Sequence, residues 1–306
     1  MSAQTSTAWA FATYQAVRHR LPQARFPAIS HPAPDLTALI PSHDIFLLDA
    51  FGVLNVGEAA IPGAVDHVSA LQQAGKHVMV VSNAAGYPKR LLMTRLARLG
   101  FDFNPDQVLS SREVLLHHLH QWPPLRWGLM ADPQYGLEEL DGLHATILGD
   151  DPQRYDEAEG FAFLGSGTWT DHRQRLLTDS LHRRPRPVLV GNPDIVAPRE
   201  GGLSLEPGHY AHLLADQTGT LPQFFGKPYP AIFDMALTRA RAARADVTDP
   251  ARIVMVGDTL HTDILGGAAA GVQTALITGF GALVGMDVQS AITASGITPD
   301  LILPQP

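Results

Sequence analysis

The sequence predicts an α/β protein, a doubly wound parallel sheet carrying an inserted α/β cap domain. Three observations point there. Near-continuous apolar runs recur at 45–48, 77–81, 252–256 and 274–277, the signature of strands buried on both faces. Helical periodicity alternates with these runs, which is the strand–helix–strand order of parallel sheets joined by right-handed crossovers. Each run ends in polar or glycine residues, and the carboxyl ends of strands are where open α/β sheets bind ligands.

In chain order, residues 1–42 read as an N-terminal arm with a helix over 5–18 and a proline-punctuated linker, packed on the core rather than functional. The run 45–48 is followed by Asp49, Phe51 and Gly52, the last allowing a tight turn. A helix follows Pro62-Gly63, with Val65, Val68 and Leu71 on one face and Gly75 at its end. The strand 77–81 ends at Ser82-Asn83. A second helix opens at Pro88, carries Leu92, Leu96 and Leu99, and closes at Gly100. Short strands at 127–131, 145–148, 160–164 and 188–190 then mark a second α/β unit. Its helix 171–184 ends in His182, Arg183 and Arg184, read as complementing the helix dipole on a solvated face. The first pattern resumes with a helix over 228–243, the strand 252–256 ending at Gly257-Asp258, a small-residue helix at 266–271, the strand 274–277 and a short strand at 301–303. The domains expected are a core of 43–85 and 226–306 with the cap over 86–225.

Composition narrows the function classes. A chain of 306 residues with 45% hydrophobic and 17% charged content is long enough for two globular domains. A net charge of −8 argues against general affinity for nucleic acid or an anionic membrane. The chain has no cysteine, which excludes disulfides and thiolate metal sites. No apolar run approaches the ~20 residues that span a bilayer. The first twenty residues lack the features of a secretory signal, so the expected location is the cytoplasm.

Four segments place polar groups where a parallel sheet would gather them: Asp49, Ser82-Asn83, Lys227, and Asp258 with Asp263. Two carboxylates from different strand ends, Asp49 and Asp258, suit Mg²⁺, which prefers oxygen ligands and keeps several waters. A hydroxyl, an amide and an ammonium are the donors that hold phosphoryl oxygens. An Asp between metal and phosphate can attack phosphorus and form an aspartyl-phosphate.

This ordered set resembles the haloacid dehalogenase superfamily over roughly residues 43–304. Asp49 matches the nucleophile of the first motif, Ser82 the phosphate-binding residue of the second, and Lys227 the basic residue of the third. Gly257-Asp258-Thr259-Leu260-His261-Thr262-Asp263 matches the acidic fourth motif. The insert position, with Gly191-Asn192-Pro193-Asp194 and Gly226-Lys227-Pro228, is similar to the class IIA branch of C2-capped phosphatases acting on N-acetylglucosamine phosphate and pyridoxal phosphate. The resemblance implies Mg²⁺ held by Asp49, Asp258 and the carbonyl of Phe51, with Asp263 supporting the metal waters or Lys227. It implies phosphate held by Ser82, Asn83 and Lys227, and substrate contacts from Asn192 and Asp194. The ligand implied is a small phosphorylated metabolite, and a homodimer through the cap stays open.

Phe51 departs from the family's Asp-x-Asp, whose second Asp protonates the leaving oxygen and later activates water. Phenylalanine does neither, and loss of such a group costs ~10²–10⁴-fold. Three outcomes stay open: a substrate with a good leaving group, such as an acyl or aryl phosphate; a substitute acid/base, with His261 nearest; or a site that binds without turnover. Slow water activation would also suit a phosphotransferase. Other signals are weaker. His117, His118 and His120 lack a carboxylate partner for zinc. Gly279-Phe280-Gly281 lacks the third glycine of a dinucleotide fingerprint, and Gly165-Ser166-Gly167 reads as a turn.

Overall fold

The computed structural model describes residues 6–199 and 202–306. Seven parallel strands form its large sheet, in the spatial order His31–Pro32, Leu301–Leu303, Gln273–Ile277, Ile253–Gly257, Ile45–Leu48, His77–Ser82 and Val108–Ser110. Ile45–Leu48 lies inside the sheet and is buried at every position, as its unbroken apolar sequence requires. Its crossover helix Ala64–Gln73 starts after Gly63, whose φ of 82° only glycine adopts freely, and buries Ala64, Val68 and Leu71. Helix Lys89–Arg98 buries Leu92 and Leu96, and helix Pro230–Ala243 buries Ile232, Phe233, Ala236, Leu237 and Ala240. Both faces of the sheet are therefore covered by hydrophobic clusters, the doubly wound arrangement.

A second sheet of five parallel strands is built from the chain between the two sequence segments that form the first. Its order is Gln223–Phe224, Val188–Val190, Gly160–Phe163, Arg126–Met130 and His144–Ile147. Helix Asp171–Arg183 packs on it through Leu177 and Leu181. The basic last turn of this helix is exposed, as its sequence suggests, with His182, Arg183 and Arg184 all facing solvent. Arg183 reaches Asp156 at 2.6 Å and His182 Nε2 meets the Gln217 carbonyl at 2.9 Å.

The expected boundary at residue 85 is corrected by the topology. Val108–Ser110 pairs in parallel with His77–Ser82 at Val80, Val81 and Ser82, so the chain returns to the large sheet before entering the smaller one. Three strand residues are too few to show a periodicity, and their partners lie 28 positions upstream. The N-terminal arm is also tied in. His31–Pro32 adds the outermost strand on Leu301 and Ile302, and helix Thr7–Ala16 packs beside the fourth-motif segment. No helix among the described residues is long and apolar enough to cross a membrane.

Asp44, at the mouth of Ile45–Leu48, binds Arg252 and, at 2.8 Å, the Lys76 ammonium, joining three neighbouring strand starts. The Arg252 hydrogen bond, outweighing partial burial and helped by Lys76, holds the Asp44 carboxyl well below the usual carboxylate range. Stability linked to it is complete above the unfolded-state pKa near ~4 and is lost as pH falls toward the depressed folded value. Asp44→Asn is expected to cost about 1–2 kcal/mol at pH 7 in urea unfolding, and clearly less at pH ~2. A gap of equal size at both pH values would contradict this account.

Candidate active site

The sheet register assembles the site. Leu48 pairs with Val256 on one side and Val80 on the other, so Asp49, Asp258 and Ser82 all emerge at the same carboxyl edge. Asp49 N–H donates to the Val256 carbonyl at 2.9 Å, fixing the residue at the strand end. Lys227 arrives from the loop before helix Pro230–Ala243, and its side chain is almost fully buried. Its Nζ lies 2.7 Å from Asp49 Oδ1 and 2.8 Å from Asp263 Oδ1, an ion-pair contact to both. Asp49 Oδ1 also accepts the Ala50 N–H at 2.7 Å, while Oδ2 has no partner among the described residues.

Asp258 is held by Thr259 Oγ1 at 3.0 Å and by the Ala282 N–H at 2.6 Å. Two glycines make room for it. Gly52 and Gly281 have φ of 76° and 80°, and a Cβ at either position would overlap the Asp258 carboxylate. Asp263 sits in the π-helical turn Leu260–Ile264 and takes the Thr259 N–H at 3.1 Å on Oδ2, so its place beside Lys227 is set by the turn itself. Ser82 Oγ accepts the Ala84 N–H at 3.2 Å, which leaves its own hydroxyl proton to donate.

Electrostatically the site is short of positive charge. Burial lifts the Asp49 carboxyl to about 6 even though the Lys227 ammonium pulls it down. Burial, then the neighbouring Asp263 and Asp49, hold Asp258 well above the carboxylate range. Burial works against the Lys227 ammonium, but Asp263 and Asp49 outweigh it and keep Lys227 charged. One ammonium thus serves two carboxylates, and Asp258 has no cation at all among the described residues. Ligand oxygens of Asp49, Asp258 and Asp263 lie within 4.8 Å of one another. The Phe51 carbonyl accepts no hydrogen bond among the described residues. An all-oxygen donor set with excess negative charge fits a hard divalent cation such as Mg²⁺.

Above the strand ends opens a cavity of about 1200 Å³, lined on the core side by Asp49, Phe51, Ser82, Lys227 and Asp258 and on the cap side by Asn192, Asp194, Leu205 and Tyr210. The structure redefines two of the expected site residues, Asn83 and Asn192. Asn83 is fully engaged: Oδ1 accepts the Lys227 N–H at 2.7 Å, and Nδ2 donates to the Lys227 carbonyl at 3.0 Å and to Asp194 Oδ1 at 2.8 Å. With both amide protons spent, it positions Lys227 and Asp194 instead of offering a phosphate donor. Asn192 takes the Asp194 N–H at 2.9 Å and reaches Glu206 at 3.2 Å, so it shapes the cap loop. Asp194 does face the cavity, with burial lifting its carboxyl to about 7 against the pull of the Asn83 amide.

His261 is not a stand-in for the acid missing at position 51. Burial pushes its imidazole down to about 3, which disfavours the imidazolium form that a general acid would need. Its Nε2 is bound to Gln15 Oε1 at 2.7 Å, and its ring is stacked on Tyr14 and edge-on to Phe11. Sequence reading also missed Gly281 and Ala282, which hold Asp258; the signal was the Gly-Phe-Gly after a strand, dismissed as a failed nucleotide motif. The N-terminal residues Ala10, Phe11 and Tyr14 line the cavity with no sequence signal pointing to it.

Comparison with known proteins gives a consistent picture. Residues 46–135 match a haloacid dehalogenase-like hydrolase family model, and residues 224–304 match a second, HAD-hydrolase-like model. The chain is 25% identical over 241 residues to an acid sugar phosphatase of Staphylococcus haemolyticus, covering 75% of this chain and 82% of that protein. It is 27% identical over 233 residues to a dihydroxyacetone phosphatase of Corynebacterium glutamicum, covering 76% and 80%. Among solved structures, a p-nitrophenyl phosphatase from Archaeoglobus fulgidus superposes with a TM-score of 0.71 at 25% identity, over 87% of this chain and 97% of that one.

Proposed function

This chain belongs to the haloacid dehalogenase superfamily of hydrolases, and on that premise we propose that it is a Mg²⁺-dependent phosphatase of the class IIA type, hydrolysing a small phosphorylated metabolite through an aspartyl-phosphate. The observation that carries the reading is Asp49: Oδ1 is pinned by Ala50 and Lys227, Oδ2 is uncommitted, and the residue lines a large cavity. That is a nucleophile held in one orientation with one oxygen to spend.

In this scheme Asp49 Oδ2 attacks phosphorus as the bond to the leaving oxygen breaks. Lys227 steers Asp49 and, with the Ser82 hydroxyl, holds phosphoryl oxygens. Water then attacks the phosphorus of the aspartyl-phosphate, expelling the Asp49 carboxylate and releasing inorganic phosphate. Asp49, Asp258 and the Phe51 carbonyl would hold Mg²⁺, with Asp263 behind them keeping Lys227 charged. Bound Mg²⁺ supplies the positive charge that the carboxylate cluster lacks and that the phosphoryl oxygens require. The absence of cysteine suits a reducing cytoplasm.

Phe51 favours a second reading of the same site, in which the aspartyl-phosphate is slow to meet water and passes to another acceptor. Phosphate release from a panel of sugar, aryl and acyl phosphates, with Mg²⁺ and with a chelator, tests the proposal. Turnover that stops on chelation and returns with Mg²⁺ is expected. Binding of Mg²⁺ with no phosphate released from any ester would reduce the protein to a phosphate-binding relic, and release that rises only when alcohols are added would favour transfer.

A further inference from the structure

Helix Thr7–Ala16 lies outside both matched family models, which cover residues 46–135 and 224–304, yet it forms part of the active-site cavity through Thr7, Ala10, Phe11 and Tyr14. It is anchored to both domains. On the core side, Gln15 bridges His261 Nε2 at 2.7 Å and the Ala294 carbonyl at 2.6 Å. On the cap side, Tyr14 Oη accepts the Ile195 N–H at 3.2 Å, Trp9 packs on His209, and Arg20 just beyond the helix binds the His212 carbonyl and Asp216. Tyr14, Val17 and Leu21 are buried in one cluster with Ile195, Leu260 and Leu283. A helix held from both sides in this way is a fixed wall rather than a lid.

The wall has a chemical character. Tyr14 stacks on His261 at 5.2 Å with ring planes 11° apart, and Phe11 meets the same imidazole edge-on at 5.3 Å. Phe11 is only part-buried, and the cavity it lines is also lined by Phe51, Leu283 and Tyr210. On this side of the cavity, flat rings and aliphatic side chains reward an apolar, planar group. The position of Phe51 restricts the chemistry in the same direction. With no acid at 51 and His261 Nε2 tied to Gln15 Oε1, a leaving oxygen that no side chain protonates departs as an anion, which a phenol (pKa about 10, as in tyrosine) tolerates far better than an alkyl alcohol.

Resting on the phosphatase reading, we propose that helix Thr7–Ala16 is a specificity element of the active site, in which Phe11 and Tyr14, with Phe51, form an aromatic wall that selects phosphomonoesters of planar aromatic alcohols. The step balances without a protein acid. Asp49 Oδ2 bonds to phosphorus, the electron pair of the breaking P–O bond goes to the aryl oxygen, and water protonates the phenolate; a second water then hydrolyses the aspartyl-phosphate.

The test compares kcat/KM for 1-naphthyl phosphate and acetyl phosphate, two substrates that need no acid and differ in leaving-group surface, in the full-length chain with Mg²⁺. In Phe11→Ala the naphthyl-to-acetyl ratio is expected to fall at least tenfold, chiefly through KM for the naphthyl ester, and Phe11→Trp is expected to keep the ratio within threefold of the parent. A ratio unmoved by Phe11→Ala, or a parent that prefers glycerol phosphate to naphthyl phosphate, would overturn the inference while leaving the phosphatase reading intact. Release of phosphate from none of these esters would overturn that reading and this inference together.

Discussion

Asp49→Asn is expected to lower turnover by about 10⁴-fold or more while the protein stays folded and still binds divalent metal. The amide has nearly the shape of the carboxylate and keeps an oxygen for the Ala50 N–H at 2.7 Å, so the strand end is preserved. It is a far weaker nucleophile toward phosphorus, and the covalent intermediate has no route to form. The substitution also removes one of the two negative charges that hold Lys227, at 2.7 Å, and leaves Asp263 at 2.8 Å as its remaining counterion. The ammonium therefore stays paired, and a collapse of the buried cluster is not expected. Single-turnover assays with radiolabelled substrate check this: the parent accumulates acid-precipitable label and the variant none. Equal labelling, or turnover within tenfold of the parent, would remove Asp49 from the nucleophile's role.

Phe51→Asp is expected to raise kcat/KM on an alkyl phosphate by ~10²-fold or more, with a smaller gain on an aryl phosphate. The gain depends on leaving-group pKa because an acid at 51 matters most where the leaving oxygen is basic. Phe51 lies at the open end of the first strand, lines the cavity, and is bridged to Asn55 through backbone alone, with Gly52 N–H on the Asn55 carbonyl at 2.9 Å. Its side chain is thus replaceable without dismantling the turn. A new carboxylate so near Asp49 and Asp258 adds to an already crowded negative site, so the gain should require saturating Mg²⁺. A flat dependence of rate on leaving-group pKa in the parent, unchanged by Phe51→Asp, would show that some other group already supplies the proton. Asp194, raised to about 7 by burial and lining the same cavity, would then be the residue to replace next.

Much of the fold was legible in the chain because its determinants are local. Ile45–Leu48 and Ile253–Gly257 announce buried strands by unbroken apolar sequence, and the helices between them show their buried faces by spacing alone. The chemistry was legible too, since a doubly wound sheet places the residue after each such strand at one edge. Asp49, Ser82 and Asp258 needed only the strand assignments to be brought together. Val108–Ser110 escaped because a three-residue strand is specified by its partner and not by its own pattern.

What the sequence by itself determined, then, is the parallel core and the set of residues that carry charge to its edge, because strand burial and strand-end position follow from short-range pattern. Only the tertiary structure decided which of those groups are free to act. Asn83 spends its amide on Lys227 and Asp194, 144 and 111 positions away, and His261 has its Nε2 tied to Gln15, 246 positions before it. Asp258 owes its place to Gly281 and Ala282, and the cavity owes a wall to Phe11 and Tyr14. A side chain's free hydrogen-bonding capacity and its protonation depend on everything packed around it, and that is set by contacts between distant segments.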